Sequence, residues 1–248
     1  MFQTEVAART DGQNRLLAGY LAVVAGFVNA SSFLLIGTFT SHVTGNVGRF
    51  ADDLVLGHRE PALLAAVMVL AFFLGAFAAS LTLESGRGVR RSWISGSLLF
   101  AEAVLLLAFM EFGRRASPGP RTLDAAAAIL CFAMGMQNSL VTRLSGAVVR
   151  TTHLTGIVTD LGIEAARWVR YWRTRGTPSL DLSERPPVAK TALLATILGS
   201  FVMGAAGGAI AATRWRHDAM LVPAVALIGG AGFALLSGTR IDLPGSRR

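Results

Sequence analysis

The chain of 248 residues contains a single cysteine, Cys131, so it forms no intramolecular disulfide and offers no thiolate cluster for a structural metal. Cys131 lies inside an apolar stretch and is expected to be a buried, inert thiol. Charge is also scarce: Asp, Glu, Lys and Arg make up 15% of the residues, against about 25% in soluble domains. No G-x-S-x-G, H-E-x-x-H or P-loop pattern occurs, which leaves nucleophilic, zinc-hydrolase and ATP-driven chemistry without the residues it uses. The chain is therefore not expected to be an enzyme, and no cofactor or metal is assigned to it. The net charge is +8, but the basic residues lie between oily segments with no aromatic-interleaved basic stripe, so nucleic acid is not an expected partner. No A-x-A-like cleavage signal ends the first apolar run. Residues 1–15, with Glu5, Arg9, Asp11 and Arg15, read as a polar N-terminal tail ahead of a retained helix rather than as a signal peptide.

What the chain has in place of charge is long apolar runs. Hydrophobic residues make up 52% and the mean hydropathy is +0.53. Ala62–Leu83 and Ala192–Ala212 run for 22 and 21 residues without a charge, and about 20 helical residues cross a hydrocarbon core. Leu16–Ile36, Trp93–Phe112, Leu123–Thr142 and Ala219–Ser237 are the other candidate spans. Ala71, Gly75 and Ala79 in one run, and Ser200, Gly204 and Gly208 in another, lie four apart and would let a second helix approach closely. Glu102 sits deep in a span, where an acid is costly and is by default a functional candidate.

One polar pattern occurs twice. Thr40–Asn46 reads T-S-H-V-T-G-N, and Thr151–Ile157, 111 positions later, reads T-T-H-L-T-G-I. Each follows a Gly-x-x-Asn, Gly26 to Asn29 and Gly135 to Asn138, with 13 and 15 residues from Asn to His. Each also opens an amphipathic helix. In the first, Thr40–Leu56, His42, Asn46, Arg49 and Asp53 share a face. In the second, Thr151–Trp172, His153, Asp160 and Glu164 align, with Arg167 a turn beyond, as a solvated charge array.

These observations predict an all-α, polytopic membrane helix bundle built as two repeats of three spans each, with one motif-bearing re-entrant or interfacial helix per repeat. The parts are the tail 1–15, repeat one at 16–113, a linker at 114–122, repeat two at 123–237 and a C-terminal tail at 238–248. With six spans, the side holding both termini carries 16 of the 23 Lys and Arg residues, which makes it cytoplasmic. Eight spans give the same count, so charge alone leaves both open; the ionisable groups on the motif helices favour six.

At G-F-V-N-A-S-S-F followed by F-T-S-H-V-T-G-N, and again at M-G-M-Q-N-S and T-T-H-L-T-G-I-V-T-D-L-G, the sequence resembles the YoaK-like family of bacterial membrane proteins. The resemblance covers about residues 16 to 237 and implies a six-span protein of the bacterial inner membrane with no settled biochemical activity. The family pattern falls on Gly26, Thr44, Gly45 and Asn46, and on Gln137, Asn138, Thr155, Gly156, Thr159 and Asp160. It departs at Asn29, where the family more often has Asp; an amide does not titrate, so no proton-coupling role is implied there.

Thr-Gly at a helix start supplies a cap, a close approach and exposed N–H groups that attract an anion or a polarised oxygen. The expectation is a small secondary transporter or permease whose solute site lies where the two repeats meet. Asn29, His42, Thr44, Gly45, Asn46, Gln137, Asn138, His153, Thr155 and Gly156 would line it, with Glu102 and Asp160 as proton-coupling acids. The expected partners are a small polar solute, membrane lipid and a second copy of the chain. The alternative is a membrane scaffold or partner-binding subunit without transport.

Overall fold

A computed structural model of the chain describes residues 11–86, 89–115, 120–144, 151–174 and 186–239. The described residues form helices and turns and no strand. Six helices carry the apolar runs: α1 (Asp11–Ile36), α3 (Arg59–Ser85), α4 (Arg91–Arg115), α5 (Pro120–Leu144), α7 (Val188–Trp215) and α8 (Leu221–Thr239). Two others, α2 (Val43–Val55) and α6 (Leu154–Thr174), carry the repeated pattern.

Five stretches are long and apolar enough to cross a membrane: Arg15–Ile36, Arg59–Ser85, Ser92–Arg115, Asp124–Leu144 and Val188–Leu236. As one helix the 49 residues of the last would reach roughly 70 Å, over twice the hydrocarbon thickness. The chain instead breaks at Arg216–Met220, a 3-10 turn opened by Arg216 at φ +52°, and reverses. There the His217 ring packs against Phe109 of α4, and burial first, then the Arg216 charge, hold His217 below the usual histidine value against the opposing pull of Asp218. Large apolar side chains line the outside, among them Leu63, Phe73 and Phe77 of α3, Met203 of α7 and Val225 of α8. In water so much exposed hydrocarbon would be a liability; against lipid it is the required surface. The chain is thus a multi-pass membrane protein.

Helix directions follow from which residues meet. Gly19 faces Thr196 and Ser200, Gly26 faces Phe201 and Ala205, and Ser31 donates to the Gly208 carbonyl at 3.0 Å, so α1 and α7 run parallel. Gly75 faces Phe132 and Ser80 meets Ser139 at 2.8 Å, so α3 and α5 are parallel as well. Gly96 faces Leu235 while Gly113 faces His217, which makes α4 and α8 antiparallel. Tyr20 of α1 donates to the Ala226 carbonyl at 2.7 Å and Phe27 packs with Ala219, so α1 also opposes α8. Only a few residues separate α3 from α4 and α4 from α5, so these consecutive, contacting helices run opposite ways, and α1, α4 and α7 point one way and α3, α5 and α8 the other. Consequently α2 begins and ends at one end of the bundle, and α6 begins and ends at the opposite end. Neither motif helix crosses, and α2, at 13 residues, is too short to do so.

The small residues allow the closest contacts. A Cβ on Gly26 would fall inside the Phe201 carbonyl and one on Gly135 inside the Phe72 carbonyl; Gly75 and Gly204 are equally closed by the backbones at Phe132 and Val23. The core between α1, α4, α5 and α8 is filled by Leu17, Leu21, Leu99, Leu106, Phe109, Leu130 and Met134, all fully buried. Cys131 is buried beside Met68 and Ala127 in a smaller cluster.

The helices outrun the apolar stretches at most ends. Asp11–Arg15, read as tail, begins α1; Arg114 and Arg115, read as linker, end α4; Pro120 to Thr122 open α5. Hydropathy marks the oily middle, whereas backbone hydrogen bonding continues through polar residues that reach the headgroup layer.

Candidate functional site

The first polar turn is held by one buried amide. Asn29, 4% exposed in α1, donates through Nδ2 to the Ala25 carbonyl at 2.8 Å. Its Oδ1 accepts from the Ser41 N–H at 3.1 Å and from the Ser41 hydroxyl at 2.9 Å. Ser32 donates to the carbonyls of Asn29 and Thr38 at 2.8 and 3.1 Å, and Gly37, at φ +74°, ends α1 where a side chain would be strained. The chain is thereby folded back so that α2 starts beside α1. His42 occupies the cap position of α2 but makes no side-chain capping bond. Its ring lies over Gly45, where any Cβ would collide with it.

That fold-back encloses a cleft of roughly 360 Å³ bounded by Phe33, Gly37, Thr38, Phe39, His42, Gly45, Asn46 and Arg49. Phe33 and Phe39 stack with centroids 4.4 Å apart. Asn46 is 4% exposed, faces the cleft, and its amide has no hydrogen-bond partner among the described residues.

The second turn repeats the tie with fewer bonds. Asn138 of α5 accepts from the Thr152 hydroxyl at 2.9 Å. Thr151 is fully buried, as is Thr40 at its counterpart position. Beyond the tie the chemistry changes. Ile157 stands where Asn46 does and is buried in apolar company, and Asp160 stands where Arg49 does. Nothing lies within 4 Å of a Cβ on Gly156, so no ring folds over it.

Between the turns, near the middle of α4, Glu102 is 1% exposed and neither carboxyl oxygen is hydrogen-bonded among the described residues. Gln137 of α5, also 1% exposed, donates to the Leu21 carbonyl at 3.1 Å and leaves its oxygen unbonded. A polar layer therefore crosses the core at Glu102 and Gln137.

The structure does not gather the ten expected solute residues into one pocket. Three long helices, α3, α4 and α5, separate the two turns along the chain, and an odd number of crossings puts the turns at opposite ends. His42 and His153 accordingly sit on α2 and α6, which pack on α3 and α7 and not on each other. His42, Gly45 and Asn46 share the first cleft, whereas Thr44 is exposed outside it. Asn29 and Asn138 face their own turns, Gln137 belongs to the central layer, and His153, Thr155 and Gly156 are exposed at the far end. Asp160 is half-buried on α6, remote from Glu102.

Glu164, expected in a solvated array, is instead 0% exposed. Its Oε1 accepts from Arg167 Nη1 at 2.9 Å and from Lys190 Nζ at 3.0 Å, which clamps α6 to α7. Lys190 lies 26 residues away, so no pattern within α6 announces the contact.

A family model described as a protein of unknown function (DUF1275) matches residues 17–233. No curated protein matches, and no solved structure matches.

Proposed function

The chain belongs to the DUF1275 family of proteins of unknown function, and from that premise we propose that it is a small secondary transporter or permease for a small polar solute. The observation that carries this reading is Glu102: a carboxyl wholly buried at mid-bundle without a hydrogen-bond partner among the described residues. A lone carboxylate is costly there, so a proton or a cationic group must accompany it. Structural polar groups are normally satisfied by the protein itself. An unsatisfied acid between polar turns at opposite ends suits a group loaded from one face and unloaded toward the other.

The two-repeat arrangement is part of the proposal. It is supported by the matched closures of Gly26 on Phe201 and Gly135 on Phe72, and of Gly75 on Phe132 and Gly204 on Val23. Exchanging α1 for α5 and α3 for α7 turns each contact into its counterpart. Two halves inverted in this way provide the equivalent inward and outward states that alternating access requires. The 16 to 7 distribution of Lys and Arg orients both termini toward the cytoplasm, in a bacterial inner membrane. The polar turns then serve as the outer and inner mouths, and Glu102 carries the coupled proton.

The test is purified protein in vesicles holding a pH-sensitive dye, challenged with a panel of small polar solutes under an imposed pH gradient. A solute that moves protons with wild-type protein should fail to do so with Glu102→Gln, while the variant keeps its melting temperature. Solute flux that ignores the gradient and survives the substitution rejects the proton-coupling role of Glu102. No flux across the panel, with a protein that copurifies, leaves the scaffold reading in its place.

A further inference from the structure

We propose that the cleft between the end of α1 and the first two turns of α2 binds a small organic monoanion, a carboxylate carrying a compact apolar body. Four features of the cleft specify that chemistry. Arg49 borders it and makes no ion pair among the described residues; Asp53 of the same helix is engaged with His58 and does not line the cleft. Asn46, only 4% exposed, presents to the cleft an amide that has no hydrogen-bond partner among the described residues. Because the amide opens onto the cleft, its N–H groups are available to an acceptor placed there. The first turn of α2 has no side-chain cap: the Val43 N–H is taken by the Ser41 carbonyl, and the Gly45 N–H and the positive end of the dipole are left beside the same space. Opposite them, the stacked Phe33 and Phe39 form an apolar wall.

The charge balance selects a monoanion. One guanidinium matches one carboxylate, whereas a phosphate dianion would need a second cation, for which the cleft offers only the His42 imidazole beside Arg49. The volume of about 360 Å³ is near the lower end of ligand sites, which suits a small acid rather than a nucleotide. Gly45 has a defined part: with no Cβ it lets the His42 imidazole lie across the helix start and close one side of the cleft. The second turn cannot do the same, since Ile157 and Asp160 replace the amide and the cation.

This deepens the transport reading, and rests on it only for where the bound acid goes. Binding is measured calorimetrically on the full chain in detergent with benzoate, benzamide and inorganic phosphate. Benzoate should bind and benzamide should not. Arg49→Gln and Asn46→Asp should each weaken benzoate about tenfold or more, while Asp160→Asn at the other turn leaves it unchanged. Equal binding of benzoate and benzamide, binding of phosphate alone, or wild-type affinity in Arg49→Gln would overturn the assignment. Should the variants melt early, a photoreactive azidobenzoate on wild-type protein decides: labelling within residues 33–49 supports the cleft, and labelling confined elsewhere removes it. Benzoate binding without flux discards the transporter and keeps the cleft. Proton-coupled flux of a neutral solute, with no benzoate binding, does the reverse.

Discussion

The two polar turns use one fastening and diverge in everything it fastens. Asn29 and Asn138, both on long helices, each receive a hydroxyl from the turn that follows, Ser41 in one case and Thr152 in the other. Past that point α2 has 13 residues, an open cleft and an arginine with no ion pair among the described residues, whereas α6 has 21 residues and a buried glutamate clamped by two cations. The shared part is what any chain needs to re-enter a bundle without stranding a polar backbone. The divergent part has no such necessity, and the chemistry peculiar to one end is therefore where specificity is to be sought.

The comparison can be broken first at the helix contacts that both halves depend on. Gly26→Ala and Gly135→Ala each press a methyl group into a carbonyl of the facing helix. Each should cost about 2–3 kcal/mol or more, by matched amounts, in unfolding titrations from mixed micelles. Gly199→Ala, with open space around its Cβ, should instead stabilise by up to about 1 kcal/mol. A large cost at Gly26 with none at Gly135 would end the equivalence of the two contacts.

Gly75 and Gly204 were legible as small residues spaced four apart, because close helix approach leaves that trace in any sequence, whereas Gly26 and Gly135 showed only as the starts of a recurring Gly-x-x-Asn. The spans were legible for a similar reason, yet their ends were not. Pro61 looks like a break before α3 but lies in its first turn, where a missing N–H costs nothing. The pairing of Asn29 with Ser41 was legible only as a recurring distance, since spacing cannot say which atom meets which. The placement of the turns at opposite ends follows from counting the three helices between them, a step that a search for one shared pocket passes over. Glu164 could not be found at all, because its burial is made by Lys190 on another helix.

The second contrast lies in how each motif helix is docked. Helix α2 packs broadly on α3, and its Asp53–His58 pair, at 3.4 Å with the histidine mostly exposed, adds little. Helix α6 has a much smaller contact with α7, and Glu164 ties the two together. Glu164→Gln should cost about 1.5–3 kcal/mol, the range for hydrogen bonds to charged groups, and should raise hydrogen exchange in α6. Asp53→Asn should change stability by no more than about 0.5 kcal/mol. Equal costs would mean that α6 is held by its apolar face after all.

The finest distinction is between the two asparagines. Interhelical hydrogen bonds within a bilayer contribute on average about 0.6 kcal/mol and at most about 1.7, because the unfolded chain in lipid also finds partners. Asn29 accepts two bonds from Ser41, one of them from a backbone N–H that cannot rotate away; among the described residues Asn138 accepts one, from a hydroxyl that can turn elsewhere. Asn29→Ala should therefore cost about 1–2 kcal/mol and Asn138→Ala about 0.6. Ser41→Ala removes the hydroxyl but keeps the N–H bond, so it should fall between wild type and Asn29→Ala. If Ser41→Ala matched Asn29→Ala, the backbone bond would contribute nothing, and the two fastenings would be energetically the same despite their different geometry.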